Sequence, residues 1–468
     1  MIFTSFNFIS FLLLVIVLYW TLPHKFRWIL LLGASYLFYM SWEPAYILLI
    51  LISTATDYFL CRFLTSKSEA RKRKAGLILN ISLNLVLLFV FKYYNFFQDT
   101  LDGLAQLFGG NYAPRYSSFL LPVGISFYTF QTLSYSFDVY RKKILPEKHF
   151  GKFALFVAYF PQLVAGPIER ASDLLTQFKE RVTFKITMLQ EGAVLFLWGL
   201  FKKAVVADNL KILADHVFDN ADFQNGGSII FALFAFTIQI YADFSGYSDM
   251  AIGVSKMMGI DLSINFKTPY FSRSISEFWR RWHITLSFWL RDYVFIPLGG
   301  SRAQKWKIYR NLFLVFLLAG IWHGADWTFV IWGAVHGLLV IIERVFGWHK
   351  SPTNPIWNFL KWGFTFAIII LTMLPVRAED FEHLLNLGGQ ILQTNTHELY
   401  LGFAENVFTP GIFGLIILFL VDWFVAKKSI LDIRMKHWTV QLSWSVFIII
   451  SIILLGDAKA EAFFYFQF

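Results

Sequence analysis

Charge is what this chain has least of. Only 15% of its 468 residues are Asp, Glu, Lys or Arg, while 57% are hydrophobic; soluble proteins carry about 25% charged residues. A water-soluble fold of that composition would expose large apolar patches, which soluble proteins rarely do. A mean hydropathy of +0.54 points instead to the bilayer as solvent. Cysteine is nearly absent. Cys61 stands alone, which excludes an intrachain disulfide and a cysteine-rich metal centre; at the end of an apolar run beside Arg62 it reads as a packed thiol, with palmitoylation the alternative. There is no Walker A run, dinucleotide glycine fingerprint, HExxH pair or GxSxG elbow. No spacing of His and carboxylate residues marks a zinc site, so no metal and no bound cofactor are expected. No basic segment precedes the first apolar stretch and no small-residue cleavage site follows it, so Met1–Leu22 reads as a retained span. Internal repeats, linkers and low-complexity tracts are missing too, which argues for one membrane domain over residues 1–468.

What is present is a series of apolar runs. A helix needs about 20 residues to cross about 30 Å of hydrocarbon. Runs of about that size or somewhat shorter occur at Phe6–Leu22, Trp28–Met40, Ala45–Leu64, Gly76–Phe97, Phe119–Tyr140, Ile186–Val206, Ser228–Met250, Tyr309–Trp322, Trp327–Phe346, Ile356–Leu374, Gly411–Ala426 and Trp438–Leu455. The expectation is an all-α polytopic bundle of roughly eleven or twelve transmembrane helices with short re-entrant or interfacial helices. Phe150–Pro167 is apolar but short and ends in Gly166-Pro167, as a re-entrant piece would. The net charge of +10 is spread over short basic clusters between the runs, with no separate basic domain, which argues against nucleic acid as a partner. Arg62 to Lys74, Arg141 to Lys152, Arg302 to Arg310 and Lys427 to Lys436 form the basic loops, expected in the cytoplasm. Acid-rich stretches alternate with them: Asp99 and Asp102; Asp208, Asp215, Asp219 and Asp222; Glu379, Asp380, Glu382 and Glu398. This pattern places both termini outside.

Three polar constellations interrupt the runs. His323 follows Trp322 between Gly320 and Gly324. About 21 Å of helix from Tyr309 leaves it short of the far membrane surface. An ionisable group at that depth is a functional candidate, and a neutral imidazole can serve as a general base; a hydrogen-bonded histidine that binds helices together fits the spacing equally well. The second constellation is Trp279-Arg280-Arg281-Trp282-His283, within an aromatic stretch from Ser274 to Pro297. As one helix it puts Arg280 and Arg291 on a shared face, where they reach phosphates of a ligand or anchor the segment to lipid. In the third, Asp243, Ser245 and Asp249 lie within an apolar run, where they orient a histidine, line a cavity or tie helices together. His336 reads as structural, and so do Asp57, Asn80, Asn84 and Gln131.

The strings FSGYSDMAIG (244–253), EFWRRWHITLSFWLRDYVFIPLGG (277–300) and IWHGADWTFVIWGAVHG (321–337) resemble the membrane-bound O-acyltransferases, in the branch of alginate O-acetyltransferase membrane subunits. The N-terminal FTSFNFISFLLLVIVLYWTLP, Asp57-Tyr58, LVAGPIER (163–170) and the terminal FFYFQF fit as well. The resemblance covers nearly the whole chain, and its block at 244–337 is the specific part. It implies a waisted bundle with a cytoplasmic cavity for the acyl donor and an outer funnel for the acceptor. It implies that His323 is the catalytic histidine and His283 the second site, with Trp322 in the WHG context at the cavity. The implied reaction transfers an acetyl group from cytoplasmic acetyl-CoA for O-acetylation of an envelope polysaccharide. A periplasmic or extracellular partner protein completes the transfer, and the protein sits in the bacterial inner membrane. Arg280, Arg281 and Arg291 would then grip donor phosphates. An acyl-histidine intermediate is a variant of the same chemistry. The nearest alternative is the D-alanyl transfer protein of teichoic acid modification. A channel or transporter with an intramembrane histidine is the alternative of another class, and the lack of paired repeats speaks against it.

Overall fold

The computed structural model describes residues 1–65, 69–221, 224–348, 354–393, 408–426, 438–457 and 463–464. Lys67, Asp222, Glu398, Lys427, Lys428, Arg434 and Lys436 of the loop-charge pattern, and residues 465–468 of the terminal run, lie outside them. The described residues form helices and turns and no strand. That is the multi-pass all-α bundle an apolar chain must form, because in hydrocarbon each backbone N–H and C=O has to be satisfied within its own segment.

The helices are α1 (Phe6–Thr21), α2 (His24–Met40), α3 (Ile47–Thr65), α4 (Ala70–Leu88), α5 (Tyr94–Leu107), α6 (Ile125–Tyr140), α7 (Phe150–Ala158), α8 (Ala171–Gln177), α9 (Ile186–Phe201), α10 (Asp208–Phe218) and α11 (Gly226–Met257). They continue as α12 (Ile275–Arg281), α13 (Ile284–Leu290), α14 (Lys305–His323), α15 (Trp327–Val345), α16 (Pro355–Thr372), α17 (Leu374–Arg377), α18 (Phe381–Leu392), α19 (Phe408–Val425) and α20 (Trp438–Leu455). Among the described residues, five stretches are long and apolar enough to cross a membrane: Pro44–Thr65, Ala70–Leu107, Gly226–Met257, Trp327–Val345 and Pro355–Arg377. Phe6–Thr21, Thr409–Val425 and Thr439–Leu455 are apolar but shorter.

Several sequence expectations shift. Residues 119–124 are not helical, so the span expected from Phe119 begins at Ile125, behind Pro122 and a left-handed Gly124 (φ 77°). The run from Gly76 is one continuous helix through a π turn at Phe89–Tyr93, and it carries Asp99 and Asp102 within α5. Asp208 does not belong to an exposed acidic loop: it opens α10, buried against Lys203 at 2.7 Å. Loop counting cannot distinguish a solvated acid from one paired inside the bundle.

The core has two hydrophobic clusters, and α11 joins them. Its first half, from Ile229 to Ala242, packs into one, and its second half, from Phe244 to Met257, into the other. Nearly every residue of this helix is buried. It is therefore a central post, exposed mainly on one face of its first turns, where Gly227 and Ile230 are exposed and Phe231 and Phe234 half-buried. The apolar piece after Phe150 is the short helix α7, whose residues Phe153–Ala158 are buried, followed by turns to Gly166. Irregular backbone at that place meets protein, not lipid. Cys61 is a buried thiol 3.1 Å from Ser136, and Asn84 bonds Asp57 at 2.9 Å, so these polar groups tie α3, α4 and α6 together.

Candidate active site

The segment after Ser274 is not one helix. α12 stops at Arg281, His283 takes a left-handed backbone (φ 43°), and α13 restarts at Ile284 before a π turn at Arg291–Phe295. The shared face expected for Arg280 and Arg291 therefore does not exist, and His283 sits at the break. A non-glycine residue in this conformation costs about 1–3 kcal/mol and persists only where its surroundings over-determine it. Here the chain at 265–268 supplies the restraint. Asn265 O accepts from Ile284 N at 2.9 Å, and Arg281 O accepts from Lys267 N at 2.9 Å. α15 holds the other end. Glu343 accepts from the backbone N–H groups of Ile275 and Ser276 and from the Ser276 hydroxyl. His336 Nδ1 accepts from Trp279 Nε1 at 3.2 Å, which makes His336 a pin between α12 and α15.

His323 is the last residue of α14. Two glycines bring α14 against α15 and do not open space for a ligand. A Cβ on Gly320 would fall 2.3 Å from Phe329 O, and one on Gly324 would fall 2.2 Å from the Phe329 ring. The carbonyls at a helix C-terminus lack intrahelical partners and attract cations. Lys92, from the π turn of the α4–α5 helix, fills that role. Its Nζ donates to Trp322 O at 2.6 Å and His323 O at 3.2 Å, while Tyr93 Oη donates to Ile321 O at 2.9 Å.

This packing brings the two sequence-predicted histidines together. Their ring centroids are 6.2 Å apart, and His283 is 0% and His323 7% exposed. Trp322 stands edge-on to His283 at 5.7 Å, and Trp332 edge-on to His323 at 5.0 Å. Neither Trp322 Nε1 nor Trp332 Nε1 has an acceptor among the described residues. His323 borders two small cavities. One of about 20 Å³ lies toward Lys92 and Ser126, and one of about 30 Å³ toward Phe329, Trp332 and Phe464. Both share walls with a vestibule of about 650 Å³, lined by Lys92, Asn95, Asp215, Asp326, Arg377 and Glu379 among others. The acid-rich α10 and α17 regions thus meet the α14–α15 turn at one mouth, with His323 beneath it.

The remaining predicted residues lie elsewhere. Asp243 and Asp249 are held by lysines: Lys203 Nζ is 2.9 Å from Asp243, and Lys202 Nζ is 2.5 Å from Asp249 and 3.0 Å from Ser245 Oγ. Asp243 also accepts the Phe464 N–H at 2.9 Å. Arg281 pairs with Glu277 at 2.7 Å, and Arg280 is exposed. Arg291 is about half exposed and pairs with Asp292, on which Arg170 and Arg141 also converge. Burial alone would raise the Asp292 carboxyl; the Arg291 and Arg170 guanidinium groups hold it below its ordinary range. Sequence reasoning missed Lys92, Asn265, Arg141 and Arg170 as parts of these sites. Lys92 did carry a signal, since it is the lone charge in an apolar run. Asn265 carried none.

A family model described as MBOAT, membrane-bound O-acyltransferase family, matches residues 36–375. The chain is 44% identical over 366 residues to a Pseudomonas aeruginosa protein named probable alginate O-acetylase, covering 78% of this chain and 69% of that one. It is 33% identical to a Helicobacter pylori peptidoglycan O-acetyltransferase over 94% of this chain and 91% of the other. A teichoic acid D-alanyltransferase of Streptococcus thermophilus is 29% identical over 50% of this chain and 59% of its own.

Proposed function

The chain belongs to the membrane-bound O-acyltransferase family, and from that premise we propose that it moves an acetyl group from cytoplasmic acetyl-CoA across the inner membrane for O-acetylation of a cell-envelope or exopolysaccharide. The observation that carries this reading is the meeting of His323 and His283 beneath a vestibule large enough for a sugar unit. In this reading His323 takes the proton of an acceptor hydroxyl as the oxygen attacks the thioester carbonyl, and the thiolate of coenzyme A leaves. His283 orients a reactant. Arg291 holds a donor phosphate beside Asp292, where Arg141 and Arg170 also converge, and Arg280 and Arg281, before the break at His283, make a separate phosphate contact. A partner protein on the outer side passes the acetyl group on to the polysaccharide. Relatives named for O-acetylation of alginate and peptidoglycan match longer stretches at higher identity than the D-alanyltransferases do, which favours acetyl over D-alanyl transfer.

The test is purified protein in nanodiscs with acetyl-labelled acetyl-CoA. Label should leave the donor in the presence of wild-type protein and not with His323→Gln. Cysteines placed at Glu69 and Glu382 should label from opposite faces of sealed cells, Glu69 from the cytoplasm. Label retained on the donor with wild type, or labelling of both cysteines from one face, would remove this reading.

A further inference from the structure

Asn265 is fully buried beside the break that carries His283. Its Oδ1 lies 3.3 Å from Thr285 N, 3.0 Å from Thr285 Oγ1 and 3.2 Å from His283 Nδ1. A backbone N–H only donates, so the amide atom facing Thr285 N must be the oxygen. Thr285 Oγ1 already accepts from Ile168 N at 3.1 Å, and its own proton is available to the same oxygen. An amide oxygen only accepts, and therefore the His283 nitrogen that faces it, Nδ1, carries a proton. In a neutral imidazole this leaves Nε2 bare. Nε2 lies on the ring edge away from Asn265, buried, with no hydrogen-bond partner among the described residues. Around the His283 ring stand Phe127, Phe244, Trp322 and His323, with centroids 4.9–6.2 Å away.

We infer that Asn265 is a positioning residue that fixes His283 in the tautomer with a bare Nε2, so that His283 accepts a hydrogen bond from the acceptor sugar, through a hydroxyl other than the one His323 deprotonates, and does not hold the thioester. This inference rests on the acyl-transfer reading above. A thioester presents a carbonyl oxygen and a sulfur, neither of which has a proton to give. A bare nitrogen can offer it nothing. A sugar carries several hydroxyls, so that one can donate to His283 Nε2 while its neighbour gives its proton to His323 and attacks the carbonyl. The same three donors on Asn265 Oδ1 also explain how the left-handed turn at His283 keeps one ring orientation: two come from Thr285 on α13, and the third is the ring itself.

The test separates tautomer from activity. Solid-state nitrogen NMR of histidine-labelled protein in lipid, with His283→Gln to identify the signal, should show Nδ1 protonated and Nε2 bare in the wild type. Asn265→Leu should lose that pattern and slow label release from acetyl-CoA about tenfold or more, in the direction known for a catalytic histidine in the wrong tautomer. Asn265→Asp retains an acceptor oxygen and should restore both. A protonated Nε2 in the wild type overturns the inference, as does an Asn265→Leu protein unchanged in both readouts. If Asn265→Leu does not fold, the wild-type and Asn265→Asp spectra decide alone. Release that survives His323→Gln would sink the acyl-transfer reading and leave the tautomer result standing.

Discussion

Two buried polar clusters meet along α11, and neighbouring residues of that helix face different ones. Asp243 is held by Lys203, while Phe244 packs edge-on against the His283 ring at 4.9 Å. The lysine cluster pairs its charges, two cations against three carboxylates: Lys202 has Asp249, and Lys203 has Asp208 and Asp243. The histidine cluster leaves His283 Nε2, Asn265 Nδ2, Trp322 Nε1 and Trp332 Nε1 with no hydrogen-bond partner among the described residues. Polar groups inside a membrane protein are costly, and both clusters bear that cost. The first offsets it within the fold, by ion pairs. The second leaves donors and acceptors open, for the reactants of the proposed reaction to satisfy. Burial and polarity are common to both clusters; ion pairing sets the first apart.

The contrast can be broken or sharpened by substitution. The largest effect on chemistry belongs to His323. His323→Gln should lower acetyl transfer by about 10² or more and leave the thermal unfolding midpoint near that of the wild type, measured on the same nanodisc sample. A variant that unfolds early would move His323 into the structural class. Lys203→Met should do the reverse. It leaves Asp208 and Asp243 buried without their cation, which costs about 3–5 kcal/mol. The yield of folded protein and its unfolding midpoint should drop, while turnover per folded molecule changes much less. A stable Lys203→Met protein with dead chemistry would erase the distinction between the clusters.

Smaller effects probe the edges of the comparison. Arg291→Ala removes one charged partner of Asp292 and, if the donor's phosphates bind there, a contact worth about 1.5–3 kcal/mol. The apparent KM for acetyl-CoA should rise several-fold with kcat nearly unchanged. An unchanged KM with poorer membrane insertion would make this arginine a lipid anchor. The smallest effect is expected at His336, which accepts from Trp279 and pins α12 to α15. His336→Gln can present an acceptor to the same indole, and acetyl transfer should stay within a few-fold of wild type. A loss as deep as that of His323→Gln would enlarge the reactive cluster to include it.

Much of this could be read from the residues in order. The helical membrane class follows from scarce charge and long apolar runs, since hydrocarbon permits a lone segment no other way of satisfying its backbone. His323 and His283 stood out because ionisable side chains among aromatic and apolar neighbours are rare at depth, and their roles came from motif resemblance. The sequence does not reveal partners. It left Asp243, Ser245 and Asp249 open between orienting a histidine and binding helices, because the lysines that engage Asp243 and Asp249 lie forty and more residues earlier in the chain. It made one helix of a segment that breaks at His283, because local periodicity cannot register hydrogen bonds arriving from residues 265–267. It passed over Lys92, whose reason for lying in an apolar run is the C-terminal end of α14, more than two hundred residues away. Composition and periodicity are properties of a segment and survive in the linear chain. Which carboxylate meets which cation, and which nitrogen of a histidine keeps its proton, are decided only when distant segments are brought within three ångströms of each other.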